Sequence, residues 1–157
     1  MIKTFKGLIA HNTVKQVRLS TNDGLTGYKI KKLELFPAGA QNSGGFNYTY
    51  KAAVGVYSVD PGTPIVPGAG NAYRMMNFDS PTLLAAAFFS QASGADTNPE
   101  DTTVVIDSKK INQDIYIAYY NVGANDVPIN YYIELESMKL DLNEATVATL
   151  KDMRGRE

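Results

Sequence analysis

The side chain best equipped for chemistry in this sequence is its one histidine, His11, in the run His11-Asn12-Thr13. One imidazole cannot build a multi-histidine metal site or a metalloprotease helix. A serine–histidine–acid triad would need a nucleophile on a strained turn, and the sequence has no Gly-x-Ser-x-Gly elbow. His11 therefore reads as a turn or surface residue. There is no cysteine, which removes thiolate nucleophiles, disulfides and cysteine-held zinc, and suits folding in a reducing cytoplasm.

Carboxylates are more plentiful. Glu134 and Glu136 stand two residues apart and share one face of a strand. Paired carboxylates hydrolyse glycosides when they flank a cleft, but same-face glutamates on an exposed strand more often make a solvated edge or a subunit contact. The run Asp96-Thr97-Asn98-Pro99-Glu100-Asp101 offers oxygen ligands for calcium without the spacing of an EF-hand, and reads as an acidic loop. Gly68-Ala69-Gly70-Asn71-Ala72 lacks both the lysine and the helix start of a phosphate loop. Asn47-Tyr48-Thr49 fits a glycosylation acceptor, which matters only in a secreted chain. No catalytic residue, metal or cofactor is expected.

The elements that would position these groups are strands. Turn residues recur at short intervals, and the stretches between them are rich in β-branched and aromatic side chains. Strands are predicted over 3–10, 14–20, 28–36, 46–59, 73–78, 102–106, 114–121 and 129–140. Alternation is clearest at the end, where Ile129, Tyr131, Ile133 and Leu135 share one face and Asn130, Tyr132, Glu134 and Glu136 the other. Asn22-Asp23-Gly24 predicts a tight hairpin between the second and third strands, and Gly123 to Pro128 a second hairpin. Asn42 to Gly45, Pro61 to Pro64 and Pro67 to Gly70 are predicted loops. Ser80-Pro81 followed by Leu83, Leu84, Ala87 and Phe88 fits a helix start or a short buried strand; strand is preferred, because its surroundings are β.

Asp141-Leu142-Asn143-Glu144 is a helix-capping signal. The helix that follows would present a narrow apolar edge of Leu142, Val147, Leu150 and Met153, either packed on the sandwich or laid on a neighbour, ending at a frayed 154–157. The expected fold is all-β: a single jelly-roll-like β-sandwich of about eight strands over residues 1–140, with a C-terminal helix or arm over 141–157.

Tyrosine is the distinctive residue, with 10 copies against no tryptophan. The pairs Tyr119-Tyr120 and Tyr131-Tyr132 place one ring on each sheet face, and outward rings suit protein interfaces or sugar stacking. Candidate interface residues are Tyr119, Tyr120, Tyr131, Tyr132, Leu150, Met153 and Arg154. The formal charge of −1 hides an asymmetry: through Leu35 seven cations face two carboxylates, a net +5 that leaves −6 for the remainder. With no arginine cluster or RNA-binding motif beside the lysines, nucleic acid is not an expected partner. The first residues lack the apolar core of a signal peptide and no apolar run nears the roughly 18 residues of a membrane span, so a soluble product is expected.

Four stretches resemble a group of small proteins encoded by marine bacteriophages. They are Asn112-Gln113-Asp114-Ile115-Tyr116-Ile117, Pro128 to Glu136, Ala148 to Arg154, and Leu19 to Tyr28, together about a fifth of the chain. The resemblance implies a virion component such as a capsid, cement or decoration protein, found in the particle after synthesis in the host cytoplasm. Its expected partners are copies of itself or other virion proteins. It carries no functional motif, so no residue role follows from it. The second expectation is a carbohydrate- or receptor-binding sandwich with an exposed aromatic platform.

Overall fold

The computed structural model describes residues 1–21, 23–38, 50–62, 78–91, 101–121 and 127–154. It contains β1 (Ile2–Ile9), β2 (Thr13–Val17), β3 (Thr26–Pro37), β4 (Tyr50–Tyr57), β5 (Leu83–Gln91), β6 (Asp101–Ile106), β7 (Ile115–Asn121), β8 (Ile129–Lys139) and α1 (Leu142–Arg154). The eight strands form two antiparallel sheets, β1-β8-β3 and β2-β7-β4-β5-β6. The predicted all-β sandwich is thus the fold, and the disputed segment is the strand β5. The predicted strand over 73–78 lies outside the described residues except for Phe78, which sits in a turn.

Period-two patterning decides which side of each strand is buried. Ile129, Tyr131, Ile133 and Leu135 of β8 point into the core, as do Tyr50, Ala52, Val54 and Val56 of β4 and Ile115, Ile117 and Tyr119 of β7. In β3 the buried Ile30 and Leu33 are three apart, which would break the alternation. A bulge restores it: Ile30 pairs with Leu135 and Lys32 with Glu134, so Lys31 is the extra residue.

The pairing of β1 with β8, β2 with β7 and β4 with β5 is the wrapped order of a jelly roll. A full wrap would pair β3 with β6. Here β6 bonds to β5 instead and stands off β3 across a cleft of about 530 Å³ lined by Lys31 to Phe36, Val104 and Ile106.

This wrapping corrects both hairpin expectations. β2 and β3 lie in different sheets, and so do β7 and β8. The turn before β3 does form: Gly24 has φ 67° and its N–H donates to Thr21 O at 3.2 Å, while the Asp23 carboxylate accepts the Leu25 N–H at 3.0 Å. Turn chemistry reverses the chain without choosing its partner strand. Asn22 and residues 123–126 lie outside the described residues, as do 42–45, 63–64 and 67–70. The described Gly62, with φ 79°, donates its N–H to Asp60 at 2.8 Å.

Asp141 caps α1, its Oδ1 accepting the Glu144 N–H at 2.7 Å. The expected apolar edge faces away from the sandwich. Ala145 and Ala148 face inward, while Leu142, Val147 and Leu150 face solvent. The small alanines let the helix backbone close on Asn112, whose Nδ2 donates to Ala145 O at 3.2 Å, Thr149 Oγ1 at 2.9 Å and Gly24 O at 3.0 Å. A leucine at either alanine would hold the helix off. No described helix is long and apolar enough to cross a membrane.

Candidate functional site

His11 occupies the turn between β1 and β2, beside Asn12 at φ 58°. Its Nδ1 accepts the Asn121 N–H at 3.2 Å, and its ring lies 4.7 Å from that of Tyr120. The imidazole thus fastens the β1–β2 turn to the end of β7. Asn121 continues the link, its Oδ1 accepting the Lys51 N–H at 2.8 Å.

Glu134 and Glu136 lie on the outer face of β8, the central strand of the three-stranded sheet. Glu134 accepts the Tyr132 hydroxyl at 2.8 Å, and Glu136 pairs with Lys31 at 3.0 Å. Lys32 pairs with Glu34 at 2.9 Å alongside. Lys31 holds the Glu136 carboxyl below its ordinary range, and the bond to Glu134 pushes the Tyr132 phenol up. A general acid needs a raised carboxyl, and Glu136 moves the other way. This face is a ladder of neutralised charges. Among the described residues, no group of three or more histidines and carboxylates could hold a metal ion. Residues 96–100, 68–72 and 47–49 lie outside the described residues, and Asp101 opens β6.

The lysine-rich first strands are used against aromatic rings. Lys3 Nζ lies 5.6 Å from the centre of the Tyr28 ring, Lys15 Nζ 5.5 Å from Tyr131 and Lys32 Nζ 5.9 Å from Tyr132. Lys15 is opposite Ile117 on the core-facing side of β2, an edge strand. Gly7 leaves room for it: a Cβ there would lie 2.8 Å from Lys15 Nζ. A charge turned inward at a sheet edge makes docking of another strand costly.

The outer face of the five-stranded sheet has the opposite character. Val14 stands opposite Ala118, Ala118 opposite Gly55, Gly55 opposite Ala86 and Ala86 opposite Val105, an uncharged row across all five strands. A Cβ at Gly55 would come within 2.6 Å of the Tyr57 ring, which lies over this row.

The candidate interface residues divide by strand parity. Tyr119 and Tyr131 are core residues, 0% and 4% exposed, which corrects their assignment to a surface. Burial pushes both phenols up. Tyr120 and Tyr132 are half-buried on the outer faces, while Leu150 is exposed on α1. Met153 and Arg154 end α1, and their side chains lie outside the described ones. Sequence reasoning missed the buried Asn112 and the partly exposed Asp114, the polar joints of this region. Asp114 accepts N–H groups from Leu19 at 2.8 Å and Ser20 at 2.9 Å, and the Gln16 amide at 2.7 Å. Polar residues just before an alternating strand were the available signal.

No family model, curated protein or solved structure matches this chain. Its function is therefore read from its surfaces. The centre of the uncharged sheet row is covered within the chain, with Ala86 and Ala118 each 1% exposed, whereas the outer side of α1 leaves apolar surface open.

Proposed function

We propose that this chain is a structural component of a virus particle, a capsid or capsid-decorating subunit that works through contacts with copies of itself or with other virion proteins. The observation that carries the proposal is the wrapped strand order, a plan used by viral shell subunits. Wrapping closes the core within one chain and leaves the outer faces and the helix available for neighbours. The engaged state of His11, Glu134 and Glu136 supports a contact role over a catalytic one.

Three of the four stretches that resemble phage proteins also meet in space. Asn112 joins the turn at Gly24 to Thr149 of α1, and Asp114 joins Leu19 and Ser20 to the start of β7. The glycan-binding alternative needs an exposed aromatic platform; every described tyrosine is buried or half-buried, and the exposed rings, Phe36, Phe78 and Phe88, stand on β3, in a turn and on β5. Mass spectrometry of purified particles tests the proposal: the chain is expected at a fixed ratio to the major shell protein, and its consistent absence would overturn the assignment.

A further inference from the structure

We propose that the outer side of α1 is the seat of a second copy of this chain, packed antiparallel on the same helix about a two-fold axis. Leu142, Val147 and Leu150 are 75%, 51% and 51% exposed, an unusual outlay of apolar surface on one short helix. The helix cannot turn them inward, because Ala145 and Thr149 are fixed to Asn112.

Charge selects the partner and its direction. Glu144 and Lys151 lie on the same flank of the apolar stripe, both exposed, and neither has an ion-pair partner among the described residues of its own chain. Seven residues separate them, about 10 Å along the helix, too far to pair with each other. A two-fold axis beside Val147 places Glu144 of each copy opposite Lys151 of the other, and Leu150 over the other's Val147 and Thr146. Such a contact is isologous and makes the ion pair twice. A groove of about 480 Å³ opens on this flank, lined by Lys109 and Lys110 as well as Glu144 and Lys151. Its surplus of positive charge suits the incoming Glu144. A parallel helix pair would instead set like charges together.

One helix per copy makes a contact smaller than the roughly 1,200 Å² of a standard stable interface, so the dimer should be weak and concentration-dependent. The contact does not depend on the virion proposal, since it is read on the isolated chain and not in particles.

Sedimentation velocity over a wide concentration range is the test, with circular dichroism and melting as folding controls. The wild-type chain is expected to dimerise reversibly and Leu150→Glu to remain monomeric. Glu144→Lys and Lys151→Glu should each weaken association roughly five- to tenfold. The double variant Glu144→Lys/Lys151→Glu should recover it. Both substitutions oppose the helix dipole, so a purely structural effect would leave the double variant worse than either single one. A monomer at every concentration, or a double variant no better than the singles, would overturn the proposal.

Discussion

Tyr50 and Tyr119, on neighbouring strands of the five-stranded sheet, hold consecutive carbonyls of one connection. Tyr119 Oη donates to Val127 O at 2.7 Å and Tyr50 Oη to Pro128 O at 2.9 Å. Tyr50 Oη also accepts the Ala38 N–H at 2.9 Å. The two hydroxyls therefore pin the chain where it leaves β3 and where it approaches β8, on its passage between sheets.

Removing the Tyr119 hydroxyl takes the partner from a buried carbonyl, and removing that of Tyr50 takes it from a partly buried one. Tyr119→Phe is expected to cost about 1–3 kcal/mol, with Tyr50→Phe in the same range. Because both act on one connection, the double variant should lose less than the sum. Urea unfolding measures all three, and strict additivity would count against a shared anchor.

Asn112 is the bolt of α1. Asn112→Ala removes its bonds to Gly24, Ala145 and Thr149 together. A loss of about 1–3 kcal/mol is expected, with faster hydrogen exchange across 142–151 than across β8. Uniform exchange in both regions would show that the helix is held by something else.

Asp114 gives stability an acid limb. Burial alone would raise its carboxyl, but the hydrogen bonds from Ser20 and Leu19 outweigh that and hold it below the ordinary 3.8. The folded state therefore takes up this proton at lower pH than the unfolded chain. The contribution is complete above the ordinary aspartate range and fades as pH falls through it to the depressed folded value. Asp114→Asn should be less stable at neutral pH and flatter on the acid side. Parallel pH–stability curves for the two proteins would refute this.

Lys15 guards an edge. Lys15→Val removes the inward charge of β2 while keeping strand propensity. The variant should melt close to wild type yet form turbid aggregates sooner on heating, with a rate that rises with concentration. Unchanged turbidity would assign the protection to another residue.

The sequence made the elements legible better than their partners. The alternation of β7 and β8 is written in Ile115, Ile117, Ile129 and Ile133, and the cap of α1 in Asp141 and Glu144. Strand parity also foretold that Tyr119-Tyr120 and Tyr131-Tyr132 would split, with Tyr131 on the isoleucine-bearing face of β8 and Tyr119 on that of β7, and counting both rings of each pair as interface residues ran against it. The hairpin expectations failed because Asn22-Asp23-Gly24 encodes a reversal, not the sheet the chain enters next. The apolar edge of Leu142, Val147 and Leu150 was legible, but which way it faces was not, because that is decided by the close approach to Asn112, which requires Ala145 and Ala148 on the inner side. Asn112 and Asp114 act through long-range bonds, so polar residues before an alternating strand mark the joint without naming its partners.

The central place of β8 in the three-stranded sheet has a consequence for biosynthesis. β1 and β3 both bond to it, with Ile2 opposite Glu136 and Thr26 opposite Lys139. As the nascent chain emerges, its first and third strands have no partner in that sheet until residues 129–139 clear the ribosome. Contacts of such sequence separation form slowly, and the waiting strands offer open edges to other chains. Folding is therefore a late event in synthesis, and crowding of unfinished chains is its hazard.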